Sequence, residues 1–124
     1  KLSKGSRVAI MMPNVLQYPI CTFGILKAGL IVENVNPLYT QRELETQLKD
    51  SQSETIFIIE NFAYSLEQII TNTSIKNVII TSAGELLGFK GHLINFVIRK
   101  IKKMVPKYNL NKAYNFSKII EKLF

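Results

Sequence analysis

The chain has 124 residues, 47% hydrophobic and 20% charged, with sixteen Lys and Arg against nine Asp and Glu. That supports one domain with a real core and excludes both a two-domain enzyme and a disordered polyelectrolyte. The single cysteine, Cys21, excludes an internal disulfide and fits a reducing cytoplasm.

The first residues, 1–5, are polar, so no signal peptide is read; the chain does not begin with Met, which fits a start further upstream. Residues 7–12 form an apolar run bounded by Gly5-Ser6 and Pro13-Asn14, the pattern of a buried strand. Asn14 is then the expected cap of a helix over 15–28, with Leu16, Ile20, Phe23, Ile25 and Leu26 at helical spacing and Gly29 as its stop. Pro19 is tolerated only if the regular helix starts near Leu16 or kinks there. A second strand is expected over 30–35, ended by the turn Asn36-Pro37. A helix follows over 41–51, with Leu44 and Leu48 on one face and Glu45 placed to pair with Lys49. Residues 55–59 read as a strand, 64–73 as an amphipathic helix and 77–81 as a fourth strand.

Strands that are continuous apolar runs and alternate with helices imply parallel pairing covered on both faces. The expected fold is therefore α/β: a parallel, doubly wound half-sheet of Rossmann or flavodoxin type. It occupies residues 1–82 and is followed over 83–124 by a strandless, basic, helical segment. That segment is expected to be an insertion or the start of a connection to further polypeptide.

The charge is unevenly placed. Residues 1–84 carry seven basic and seven acidic side chains, whereas residues 85–124 carry nine basic ones against Glu85 and Glu121. On a helix at about 100° per residue, Leu93, Ile94, Val97, Ile98, Ile101, Met104 and Val105 fall within an arc of roughly 140°. Arg99, Lys100, Lys102 and Lys103 lie outside it, Phe96 sits among them, and Pro106 is the expected end of the helix. Two readings stand. The apolar arc packs on the chain's own sheet, or Phe96, Arg99, Lys100, Lys102, Lys103 and Lys107 meet an anionic membrane surface.

No catalytic constellation is legible. Gly24 and Gly29 copy the glycine spacing of a phosphate loop, but Leu30-Ile31 follow, and the stretch ends a helix instead of opening one. The turn at Pro13-Asn14 has no glycine, so the dinucleotide fingerprint is missing where it would have to sit. Gly88-Phe-Lys-Gly91 has the spacing of a nucleic-acid-clamping loop, but in the wrong fold, and no nucleic-acid partner is expected. Cys21 and His92 form no pair, Cys21 being the expected buried and inert thiol; no metal set is read. No catalytic, cofactor or metal residue is therefore assigned in this span.

The segments SRVAIMMPN, LKAGLIVENVNPLYTQRELETQLKDS and MVPKYNL resemble bacterial long-chain fatty-acid–CoA ligases, members of the adenylate-forming, AMP-binding superfamily. The resemblance covers essentially the whole chain, and the Leu26-Lys27-Ala28-Gly29, Asn36-Pro37, Tyr39 and Glu43 positions carry it. It implies an enzyme that joins a long-chain fatty acid to AMP with Mg-ATP and passes the acyl group to CoA. It further implies the remainder of the same enzyme as the partner; with the cysteine usage and the basic helix, the expected location is cytoplasmic, with peripheral contact on the inner membrane. The phosphate-loop, acidic and C-terminal lysine signatures of such enzymes are absent here, so ATP, Mg2+ and CoA are expected of the parent enzyme and not of this span. Gly29, Asn36, Pro37 and Tyr39 are read as structural. Glu33 stands where such ligases carry an apolar residue and needs a partner or an exposed edge. An uncovered sheet edge and face should make the isolated segment self-associate, swap domains or lose order after Ser82. The alternative is a non-enzymatic basic α/β module that binds an anionic membrane surface or nucleic acid.

Overall fold

A computed structural model of the chain describes residues 2–123. Five parallel strands form one sheet: β1 (Arg7–Met11), β2 (Ile31–Asn34), β3 (Thr55–Ile59), β4 (Asn77–Thr81) and β5 (Tyr114–Asn115), in the order β2-β1-β3-β4-β5. The helices are α1 (Gln17–Lys27), α2 (Gln41–Ser51), α3 (Ala63–Ile69), α4 (Phe89–Phe96) and α5 (Phe116–Leu123). The chain runs outward from β1 to β2, then returns past β1 to β3, which makes the sheet doubly wound as the alternating pattern predicts.

Alternation along each strand divides the core in two. Ala9, Met11, Ile56 and Ile58 meet Leu44 and Leu48 of α2 and Leu66 and Ile69 of α3 on one face. Val8, Ile10, Ile59 and Ile79 meet Cys21 and Ile25 of α1 and Phe116 of α5 on the other. Phe57 and Phe116 touch edge to face, with ring centroids 6.3 Å apart.

Local chemistry sets the helix ends. Thr40 and Glu43 form a reciprocal capping box at the start of α2, whose bounds match the sequence expectation, and Glu45 pairs with Lys49 at 2.6 Å. Gly29, at φ +76°, closes α1: its N–H donates to Leu26 and the Leu30 N–H to Ile25. A side chain there would strain the backbone and press on Lys4. Pro19 lies in the first turn of α1, where its missing N–H is harmless. The cap is Leu16 and not Asn14, and no side chain completes it.

Three sequence expectations are corrected. In α1 the buried row is Gln17, Cys21 and Ile25, while Leu16, Ile20, Phe23 and Leu26 are exposed. Gln17 faces inward because its Nε2 donates to Thr81 Oγ1 and to the Ser82 carbonyl, both at 2.7 Å, tying α1 to the end of β4. The basic helix expected to end at Pro106 is shorter: α4 runs into a π-helical turn, Val97–Ile101, and the helix stops there. Lys103, at φ +51°, turns the chain away. The segment after residue 82 is also not strandless, because β5 pairs with β4 and extends the sheet. A two-residue strand has too little pattern to be seen in sequence. Residues 82–113 are thus the crossover that any parallel β4–β5 connection requires.

Glu33 meets both of its expected conditions. It lies on the edge strand β2, half-buried, and accepts a hydrogen bond from the Ser53 hydroxyl, while its other oxygen, Oε1, has no partner.

Candidate functional site

A crossover helix ordinarily lays its apolar face on the sheet. α4 does the reverse. Gly91, Asn95 and Arg99, spaced four apart, face the body of the protein. Gly84 and Gly91 meet backbone to backbone: a Cβ on Gly91 would lie 1.7 Å from the Gly84 carbonyl oxygen, and one on Gly84 2.2 Å from that of Gly91. Asn95 is buried, accepts from the Gly84 N–H at 2.8 Å and donates to Ser82 Oγ at 2.9 Å. Arg99 grips the Glu60 carboxylate with both arms of its guanidinium, at 2.7 and 2.9 Å. Glu60 itself is 7% exposed at the end of β3.

The pair has electrostatic consequences. Hydrogen bonding to Glu60 raises the Arg99 pKa further, against the opposing effect of burial. Burial, and then the Glu60 carboxylate, push the Tyr108 hydroxyl up, so it stays neutral beside them. A polar depression of about 310 Å3 lies here, at the carboxyl ends of β4 and β5, lined by Glu60, Thr81, Ser82, Arg99 and Tyr108 among others. The clamp occupies its only guanidinium.

With the polar row turned inward, much of the apolar arc points to solvent: Leu93 is 64% exposed and Ile101 65%, with Phe89 and Phe96 exposed beside them, while Val97, Ile98 and Val105 are half-buried. Neither core cluster includes any residue from 87 to 109. Lys100, Lys102, Lys103 and Lys107 are exposed around this arc, whereas Arg99 is drawn back to Glu60. Of the two readings of the basic segment, packing of the arc onto the chain's own sheet finds no counterpart in either core cluster among the described residues. Glu60, Gly84 and Asn95 were not singled out from sequence; the signal was the spacing Gly91, Asn95, Arg99, a small and polar row opposite the hydrophobic one.

The other sequence-singled residues lie apart from this surface. Asn36 accepts from the Leu38 N–H at 2.9 Å in the turn before α2, and Tyr39 packs against the α2–α3 face of the core. Together with Asn14, Tyr18, Pro37 and Phe62 they line a depression of about 650 Å3 at the carboxyl ends of β1 and β2. This lies beside the crevice where doubly wound folds bind nucleotides, but its turns, Pro13-Asn14 and Asn36–Tyr39, contain no glycine-rich loop. No three His, Cys, Asp or Glu converge among the described residues. The residues present do not fit a nucleotide-metal site. Cys21 lies on the buried face of α1 and its thiol is pushed up to about 12, chiefly by desolvation, so it is held as the neutral, unreactive thiol.

Compared with known proteins, residues 1–96 match the family model described as AMP-binding enzyme. The chain belongs to the AMP-binding enzyme family. It is 55% identical over 121 residues to a long-chain-fatty-acid–CoA ligase of Haemophilus influenzae, and 38% identical over 101 residues to one of Bacillus subtilis. These matches cover 97% and 82% of this chain, but only 22% and 18% of the relatives. This AMP-binding chain therefore spans about a fifth of the length of the relatives it matches. Among solved structures, an anthranilate–CoA ligase in complex with anthranoyl-AMP shares the fold over 98% of this chain and 19% of its own, with a TM-score of 0.72 at 16% identity. A long-chain-fatty-acid–CoA ligase from Archaeoglobus fulgidus matches 63% of this chain and 16% of its own, with a TM-score of 0.62 at 23% identity. Membership in the AMP-binding family bears out the resemblance seen in Gly29, Asn36-Pro37 and Glu43, and it displaces the reading of a non-enzymatic module.

Proposed function

We propose that this chain is the sheet-and-helix segment of a long-chain fatty-acid–CoA ligase. Such an enzyme activates the fatty acid with ATP and Mg2+ to an acyl-adenylate and passes the acyl group to CoA. What carries the reading is 55% identity along 121 residues to a relative of that name. Within this segment Gly29, Asn36, Pro37 and Tyr39 act structurally and no residue touches nucleotide, so ATP, Mg2+, CoA and the fatty acid are handled by the remainder of the enzyme. Residues 83–124 act as an arm that leaves the sheet after β4, carries α4 and returns as β5. A chimera in which these 124 residues replace their counterpart in the Haemophilus influenzae ligase is the test. We expect it to form acyl-CoA from a long-chain fatty acid, ATP and CoA, and the segment alone to form no acyl-adenylate. A folded, soluble chimera without activity would defeat the proposal.

The exposed face of α4 favours a second feature of the same enzyme: peripheral contact with an anionic membrane from the cytoplasmic side. Four lysines and an aromatic-bearing apolar row suit that surface, each lysine adding about 1 kcal/mol near anionic lipid. Vesicles containing phosphatidylserine are expected to retain the chain at low salt and release it steeply as salt rises. Neutral vesicles and duplex DNA should retain little, and equal retention by DNA would point to a general polyanion site.

Alone, the chain is expected to self-associate. The unpaired edge of β2 and the exposed α1 row of Leu16, Ile20 and Phe23 supply the surfaces. Light scattering after size exclusion should give a mass that falls on dilution; a mass fixed at 14.1 kDa would count against it.

A further inference from the structure

An apolar row held in water is pushed by the hydrophobic effect to turn inward, so something must hold it out. Around α4 the structure offers three such contacts. The Gly84–Gly91 backbone contact sets how close the helix lies. The Asn95 side chain pins its middle to Ser82 and Gly84. The Arg99–Glu60 pair pins the π-helical turn that continues it, Val97–Ile101. The last is the one made by charge: it ties the turn after α4 to the residue that follows β3, and it uses both oxygens of a carboxylate that is almost wholly buried. Such a forked pair is directional: it fixes rotation about the helix axis as well as distance.

We infer that the Glu60–Arg99 clamp is a presentation device, setting the rotation of α4 so that Phe89, Leu93, Phe96 and Ile101 face outward towards an anionic lipid surface. The inference rests on the membrane reading above for its partner, but the pose itself is testable without lipid. Arg99 is then a positioning residue and not one of the lipid-facing cations, which are Lys100, Lys102, Lys103 and Lys107. One consequence runs against simple electrostatics. Glu60→Gln raises the net charge, so a patch acting by charge alone would bind anionic vesicles as well or better. The clamp predicts weaker binding.

The chain has no tryptophan, so Phe96→Trp supplies a reporter at an exposed position of the row. Quenching of that tryptophan by acrylamide in lipid-free solution reads the pose. Adding Glu60→Gln, or Arg99→Lys, which keeps the charge and loses the fork, is expected to lower the quenching constant about twofold as the row turns inward. Far-UV circular dichroism selects the variants that remain folded. Unchanged or increased quenching in both variants would overturn the clamp. The second arm measures partitioning of the same proteins onto phosphatidylserine vesicles, where both variants should bind at least threefold more weakly than the parent. Binding by Glu60→Gln equal to or tighter than the parent would likewise overturn it. Lowered quenching in the variants with no vesicle binding by the parent would leave the clamp standing and remove the membrane reading.

Discussion

Truncating Leu48 to alanine is expected to remove about 3 kcal/mol of stability, within the range of roughly 2–5 kcal/mol typical of buried leucines. Leu48 is fully buried where α2 meets the sheet, among Leu44, Ile56, Ile58 and Leu66. The lost contacts and the remaining cavity act together, because helices on both sides restrict collapse of the site. For a domain whose whole stability is about 5–15 kcal/mol, that is a large share. With a urea dependence of about 1–3 kcal/mol per molar, the unfolding midpoint should fall by roughly 1–3 M. Leu38→Ala is the control. That side chain is 86% exposed in the turn before α2, and its loss should change stability by less than about 0.5 kcal/mol. Equal midpoints for the two variants would show that α2 is not part of the core.

Gly91→Ala is expected to act just as strongly but only locally. Its methyl group would sit 1.7 Å from a backbone oxygen, closer than any real contact, and neither partner is a flexible side chain. The helix must therefore lift off the 82–84 loop, stretching the Asn95 bonds and the Arg99 pair with it. Hydrogen exchange should show amides of residues 89–101 losing nearly all protection, while β1, β3 and β4 keep theirs. The global urea midpoint should hardly move, since residues 87–109 belong to neither core cluster. Retained protection across α4 would mean that the two glycines are not its seat. Together with the leucine variant, this separates the part of the chain that stabilises the fold from the part that is displayed by it.

How much of this was legible beforehand follows from the range of the interactions involved. Four of the five strands, the bounds of α2, the Glu45–Lys49 pair and the stop at Gly29 are all set within a few residues. β-branched runs, a left-handed glycine and i,i+4 pairing are properties of adjacent sequence, and so is the resemblance carried by Gly29, Asn36-Pro37 and Glu43. The parallel, two-faced sheet follows because continuous apolar strands must be covered on both sides.

Other features required the assembled chain. Gln17, polar and inside a hydrophobic pattern, turns inward because Thr81 and Ser82 arrive from sixty residues away to receive it, and Leu16 is thereby turned out. β5 exists only because β4 offers it an edge. The orientation of α4 is the sharpest case. Its sequence states that one face is apolar and the other basic and small, and helical periodicity makes both faces equally regular. Which face meets the body was decided by Glu60, a buried carboxylate at the end of β3 that needs a cation, and by Gly84, which admits only another backbone. Burying the arc instead would have left that carboxylate unpaired in a low dielectric, a larger loss than the apolar surface left in water.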